Sequence, residues 1–205
     1  MASEVDICNQ ALSLLGDEAS VASIDPPEQS VQAMHCARFY PMARNSLLEM
    51  HDWNFATRRG ALAELTNDRT DWAHCYAWPN KALRVMAVCA ADVPDDRLDD
   101  AHSRFVVEMW PDGQRVIYTE QEDAHARYTF EAADPTKFSP LFVEALATLL
   151  ASKLAGPLIK GGEGRQVAAA MLEAFYNVVL HRAVASDANQ RRLKPEHVAD
   201  WISGR

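Results

Sequence analysis

The side chains that could do chemistry are spread along this chain and form no known catalytic motif. The sequence has no G-x-S-x-G, H-E-x-x-H or P-loop pattern, and residues 161–164 (GGEG) lack the Lys-Ser/Thr pair that holds a nucleotide phosphate. His51 and Asp52 are adjacent, but a hydrogen-bonded corner explains such a pair more readily than a general base does. We therefore predict no catalytic and no cofactor-binding residues, although isolated carboxylates could still pair across the fold as in a glycosidase.

The cysteines and the acidic residues do not have the spacing of a metal site. The four cysteines stand far apart and include no C-x-x-C, so we expect buried thiols in a reducing compartment: Cys8, Cys36, Cys75 and Cys89. Five aspartates surround Pro94, but without the central glycine and final glutamate of an EF-hand loop: Asp92, Asp95, Asp96, Asp99 and Asp100. We predict a solvated acidic loop and no metal.

Charge and hydropathy disfavour nucleic-acid and membrane binding as the main function. The net charge is -9, whereas phosphate binding relies on clustered Lys and Arg. The sequence does not begin like a signal peptide, and the most apolar segment, 140–155, is short for a bilayer and contains Glu144 and Lys153. The expectation is a soluble, intracellular protein with no membrane partner.

The helical elements are marked by caps and periodicity. Residues 3–6 form a capping-box pattern, which predicts a first helix that ends at Gly16 and buries one face: Ile7, Ala11, Leu14 and Leu15. A second helix is predicted from residues 25–28 onwards, with a kink at Pro41. It leads into an aromatic corner within residues 44–62, whose structural residues we predict to be Trp53, Asn54, Phe55, Arg58 and Arg59. A stacking platform for single-stranded nucleic acid is the other interpretation of this corner, but core packing with a structural arginine is favoured.

The middle of the chain is predicted to be a small antiparallel β unit. Strands are expected at 83–89, 105–110, 114–119 and 126–131, with a tight turn at Pro111-Asp112-Gly113. A helix is then predicted from the Ser139-Pro140 cap to a stop at Gly156-Pro157. After a glycine turn at 161–164, a long helix over about 165–186 should bury one stripe: Val167, Met171, Ala174, Phe175 and Val178.

These elements predict an α+β fold, mainly α, in three parts. Residues 1–62 and 139–186 form a helical bundle, residues 63–138 a β-rich insertion, and residues 187–205 an extended C-terminal docking tail. The tail has little apolar content, and its late tryptophan suits either a neighbour's pocket or its own subunit. Its predicted docking residues are Arg191, Arg192, Lys194, Trp201 and Ile202.

Several segments carry a recognisable pattern in a fixed order. The opening I-C-N-x-A-L at 7–12, with Leu15-Gly16, is followed by 36–40 (CARFY), 44–48 (RNSLL), 51–62 (HDWNFATRRGAL), 72–84 (WAHCYAWPNKALR), 142–147 (FVEALA) and 154–158 (LAGPL). In this order the segments resemble podophage head-to-tail adaptors of the tail tubular protein A family. The chain departs from the family pattern at Asp52, where proline is frequent, and at His74, where tyrosine is frequent.

The resemblance implies a structural virion protein in the tail neck, made in the cytoplasm of the host bacterium. Such adaptors form a dodecameric ring between the portal protein and a tail nozzle protein of the tail tubular protein B type. DNA passes through the ring for retention and ejection without sequence-specific binding, and the C-terminal segment meets the portal. We expect the acidic β-rich middle to meet the nozzle. A tail-associated, peptidoglycan-degrading enzyme is the alternative function.

Overall fold

The computed structural model describes residues 2–94 and 102–190. The fold is α+β and mainly α, as predicted, with helices at both ends of the chain and strands between them. The chain divides into two compact units. The helical unit contains Met1–Arg58, Asn80–Met86 and Tyr128–Ala188, and the β unit contains Arg59–Pro79 and Ala87–Arg127. The helical unit thus includes residues 80–86 and 128–138, which the sequence analysis assigned to the insertion.

Helix α1, Glu4–Leu14, has the predicted cap. The Ser3 side chain accepts from the Asp6 N–H, the Asp6 carboxylate accepts from the Ser3 N–H, and Gly16 beyond the end has a φ of +73°. The buried residues are Ile7, Cys8, Ala11 and Leu12. Leu14 was predicted to be buried and is exposed instead, because the buried face is rotated towards Cys8 and Leu12.

Helix α2, Val31–Met50, begins later than predicted and continues through Pro41. The Ser30 side chain accepts the Ala33 N–H at 3.1 Å, so this residue and not the segment 25–28 provides the N-cap. Pro41 lies on the exposed side of the helix. Water can therefore solvate the carbonyl that loses its intrahelical donor there, and the helix is not interrupted.

Helix α3, Pro140–Leu158, is the centre of the helical unit. Ser139 caps it through the Phe142 N–H, and ten of its residues are buried. It packs against α1, against α2 and against the last helix of the chain. The predicted stop is wrong by two residues, because Gly156 and Pro157 form the final turn of the helix instead of following it.

The last helix occupies residues 161–188 and has three parts: α4 (Gly161–Ala174), a π-helical segment (Phe175–Val179) and α5 (Leu180–Ala188). The glycines at 161–164 were predicted to form a turn, but they are the first turn of α4. A Cβ on Gly164 would lie 1.7 Å from the Ile159 carbonyl oxygen, so only glycine fits this close approach to the end of α3.

The predicted buried stripe of the last helix is correct in part. Phe175 is fully buried and Val167 and Met171 are half-buried, whereas Ala174 and Val178 are exposed. The wider π turn rotates the residues that follow it, so Ala183 and Asp187 continue the buried side instead of Val178.

The strands form two sheets. The four-stranded sheet has the order β2-β3-β6-β5, and the three-stranded sheet has the order β1-β7-β4. The strands are β1 (Thr57–Ala61), β2 (Glu64–Leu65), β3 (His74–Ala77), β4 (Ala82–Cys89), β5 (Phe105–Met109), β6 (Arg115–Thr119) and β7 (His125–Phe130).

The predicted hairpin is present, but the other strands are arranged differently from the prediction. β5 and β6 are antiparallel with Phe105 opposite Thr119, and Gly113 in the turn has a φ of +87°. The strand β7 is not the third member of this hairpin, because it pairs between β1 and β4 in the other sheet. Strands β1, β2 and β3 were not predicted. They are short, and the pairing of β3 with β6 depends on contacts distant in sequence.

Candidate interaction surfaces

The aromatic corner is a packed part of the helical unit. Trp53 is fully buried, and its indole Nε1 donates to the Leu47 carbonyl at 2.8 Å. Its ring meets Phe142 edge to face with centroids 4.9 Å apart, and Phe55 contacts both Phe142 and Phe138. Because Trp53 is enclosed, it has no face on which a base could stack, and core packing is the correct interpretation of this residue.

Asn54 ties the corner to the end of the last helix. Its backbone N–H donates to the Asp187 carboxylate at 3.1 Å, and its side-chain amide donates to the Asp187 carbonyl at 2.7 Å and to the carboxylate at 3.0 Å. Asp187 is only 4% exposed. A buried carboxylate needs such donors, since burying it without them is costly.

Asp187 was assigned to the tail in the sequence analysis, and this assignment is wrong. The residue lies in α5, and the Nε2 atom of His51 is 3.4 Å from its carboxylate. The His51–Asp52 pair considered from the sequence is also replaced, since Asp52 forms an ion pair with Arg84. Nothing in the sequence indicated the partner of His51, because the two residues are far apart in the chain.

The two arginines of the corner have structural contacts. The Arg58 guanidinium lies 3.6 Å from the centroid of the Phe130 ring, a cation–π contact within the helical unit. In the β unit, Arg59 donates to the carbonyls of Ala90 and Val93 after strand β4. Both predicted structural arginines therefore support local structure.

A buried arginine that the sequence analysis did not single out also supports the helical unit. Arg44 is 6% exposed, and its Nη2 atom lies 2.6 Å from the Glu131 carboxylate, which also accepts from Asn45. Arg44 falls at helical spacing between the buried residues Tyr40 and Leu47. The position of Arg44 on an apolar stripe could have indicated that this arginine is buried. A buried arginine in turn needs a carboxylate partner.

The predicted docking residues Arg191, Arg192, Lys194, Trp201 and Ile202 lie outside the described residues. The same holds for four of the five aspartates of the acidic loop, Asp95, Asp96, Asp99 and Asp100. The fifth, Asp92, is exposed.

The described residues bring together little that could carry out catalysis. A shallow pocket of about 500 Å³ in the helical unit has Glu144 as its single carboxylate, and a pocket of about 480 Å³ in the β unit is lined by His102 and Arg104 with no carboxylate. Across 2–94 and 102–190, no three His, Cys, Asp or Glu side chains group as metal ligands would. Hydrogen bonding between Cys8 and Cys36 raises the pKa of the Cys8 thiol and lowers that of the Cys36 thiol, and both thiols are buried.

The last helix exposes an unusually apolar surface. Its most apolar 18-residue window has a mean hydropathy of 1.2, yet only 11% of that window is buried. We define the last-helix face as the exposed residues Ala169, Leu172, Glu173, Tyr176 and Val178. An exposed apolar surface of this kind commonly marks a site of association.

Length and hydropathy alone would allow two helices to cross a membrane. One is α3, whose most apolar window has a mean hydropathy of 1.4, and the other is the last helix. The window in α3 is 56% buried inside the unit, as in the core helix of a soluble protein. This criterion is therefore weak evidence for a membrane.

Helix α2 carries a second exposed surface. We define the α2 stripe as Val31, Met34, Arg38, Met42 and Glu49, which recur at helical spacing and are all exposed. Methionine side chains are flexible and polarisable, and such residues are frequent at surfaces that adapt to a partner.

No protein-family model matches the chain, and no curated protein matches it. The class that the structure defines is an α+β protein, mainly α, that exposes large apolar side chains on helices and on the edge strand β5.

Proposed function

We propose that this chain is a structural virion protein, a head-to-tail adaptor that assembles as a ring between the portal and the tail nozzle. The observation that carries the proposal is the last helix, whose most apolar window has a mean hydropathy of 1.2, against 1.4 in the core helix α3, but is only 11% buried in the isolated chain. Leaving such a surface in water is unfavourable, so association with a partner accounts for it. The kind of association comes from the resemblance to the adaptor family, which covers residues 7–12, 36–40, 44–48, 51–62, 72–84, 142–147 and 154–158.

The positions of those resembling segments support a scaffold function. Trp53, Asn54 and Phe142 lie in the resembling segments and pack or hydrogen-bond inside the helical unit. Arg44, in another of them, is buried against Glu131. The resembling segments thus contain residues that determine the shape of the helical unit. This is expected of a protein whose assembly depends on the shape of its subunit.

In this proposal the ring surrounds the DNA channel and makes no sequence-specific contact with DNA. The net charge of -9 supports this, because an acidic lining repels phosphates and lets DNA move. The C-terminal segment after residue 190 meets the portal, and the β unit faces the nozzle. A structure of the assembled tail in which the β unit points towards the capsid would overturn the last assignment.

The experiment that tests the proposal is a mass measurement of the full chain, alone and with its cognate portal assembly. A variant ending at Gln190 is measured in parallel. This end point keeps Asp187 and its bonds to Asn54, so the helical unit stays intact while the predicted docking residues are removed. Binding of a ring by the full chain and no binding by the variant support the proposal. No binding of the full chain to the portal would contradict it.

A further inference from the structure

We propose that neighbouring copies in the ring join through two different helical surfaces, the last-helix face of one copy and the α2 stripe of the next. This inference rests on the proposed function, because it names the contact by which the adaptor ring closes. The occupant of each surface is therefore a second copy of this chain.

The last-helix face has the composition of an interface centre. Leu172 and Tyr176 are one helical turn apart and both exposed, and Val178 extends the apolar area on the other side of Glu173. The π-helical segment contributes to this exposure, because it turns Val178 outwards while Phe175 remains buried. Aromatic residues at such positions are typical of residues that dominate binding energy.

The α2 stripe offers a complementary surface. Met34 and Met42 stand on either side of Arg38 along the exposed side of the helix. Flexible thioether side chains can fill the gaps around a protruding tyrosine and leucine. The stripe spans residues 31–49, a length of about 27 Å at the rise of an α-helix.

The two surfaces lie on two different helices that both pack on α3. α2 and the last helix each pack on the central helix α3 through their buried sides, and each turns another side to solvent. When two identical copies join through two different surfaces, each copy still has one unused surface, which can bind a further copy. The contact therefore repeats from copy to copy and closes into a ring when the rotation allows.

The charges on the two surfaces are complementary at one position. Glu173 on the last-helix face and Arg38 on the α2 stripe are both exposed and carry opposite charges. In a parallel pairing that places Glu173 against Arg38, Tyr176 and Met42 both follow about one helical turn further along their helices.

A lipid bilayer suits the last-helix face less well than a second copy does. Glu173 lies between the apolar residues of the face, and Asn177 beside it is also exposed. A carboxylate in the middle of a membrane-buried surface is costly, whereas an arginine on a protein partner neutralises it.

The test is a charge exchange in the full-length chain. Arg38→Glu and Glu173→Arg are made singly and together, and the ring bound to the cognate portal assembly is quantified by native mass measurement. Glu120→Arg, an exposed charge reversal in the β unit, is the matched control. Thermal unfolding of each purified variant verifies that the exposed substitutions leave the fold intact. Flotation with vesicles of phosphatidylglycerol and phosphatidylethanolamine tests membrane binding of the wild type.

Each single reversal places like charges together at every contact of the ring, so we expect at least about a tenfold loss of ring. The double exchange should restore assembly to within about threefold of the wild type, and the control should assemble normally. Normal assembly of the single variants, failure of the double exchange or flotation of the wild type would overturn the inference while leaving the adaptor function standing. A wild type that forms no ring on the portal would contradict the proposed function and this contact with it.

Discussion

Asn54 and Asp187 are 133 positions apart in the chain, yet the backbone and side-chain N–H groups of Asn54 both donate to Asp187. The contact joins the corner after α2 to the end of the last helix. It therefore holds the end of the last helix against this corner.

We expect Asp187→Ala to lower the free energy of unfolding by about 1–3 kcal/mol, because the buried amide donors of Asn54 lose their acceptor. Chemical denaturation followed by circular dichroism measures this change. Asn177→Ala is the matched control on the same helix, since Asn177 is exposed. Equal stability of the two variants would show that the contact contributes nothing.

A second prediction concerns two glycines in one helical turn. Gly164→Ala should destabilise the helical unit by about 1–3 kcal/mol, since its Cβ would meet the Ile159 carbonyl oxygen at 1.7 Å and the backbone must shift. Gly162→Ala has open space around its Cβ and gains helix propensity, so it should be neutral or stabilising by up to about 1 kcal/mol. Thermal unfolding of both variants is the measurement, and the reverse order of stability would contradict the close approach of α4 to the end of α3.

The hydrogen bond of the buried indole gives a third prediction. Trp53→Phe keeps an aromatic ring but leaves the Leu47 carbonyl without its donor, so we expect a loss of about 1–3 kcal/mol in unfolding free energy. Tyr176→Phe, on an exposed aromatic side chain, is the control and should be close to neutral. If Trp53→Phe is equally neutral in urea denaturation, the indole N–H has no stabilising effect.

The capping box of α1 makes stability depend on pH in acid. Backbone and side-chain hydrogen bonds from Ser3 hold the pKa of Asp6 below its usual value. A carboxyl group with a lowered pKa in the folded state stabilises the fold above the unfolded pKa near 4, and this contribution is lost as pH falls through the lower, folded pKa. Asp6→Asn should therefore be less stable than the wild type at pH 7, and the difference should shrink as the pH falls through the lowered pKa of Asp6. A stability difference that stays constant from pH 7 into acid would contradict this role of Asp6.

Local signals in the sequence predicted much of the helical unit and one hairpin of the β unit. The Ser3 capping box, the Ser139-Pro140 start and the Asp-Gly turn before β6 are determined by residues within a few positions of each other. Features set by distant contacts were not predictable in this way. The pairing of β7 between β1 and β4 depends on strands far apart in sequence, and the exposure of Val178 depends on a π turn that periodicity does not reveal.

The residues of the candidate interaction surfaces likewise include some that local sequence predicts and some that depend on distant contacts. Trp53 and Phe55 were correctly predicted to pack, because large aromatic residues in a short segment require a core. The partners of Asn54 and His51 could not be predicted, since Asp187 looked like the start of a polar tail when only its neighbours in sequence were considered. Its burial follows from the path of the whole last helix.

The measurement that tests the adaptor proposal most directly is the mass of the cognate portal assembly before and after addition of the full chain. The proposal predicts a gain of about 270 kDa for twelve copies of the 22.8 kDa chain, and no gain with the variant ending at Gln190. No gain with the full chain would contradict the proposal, and an equal gain with the truncated variant would contradict the role of the C-terminal segment.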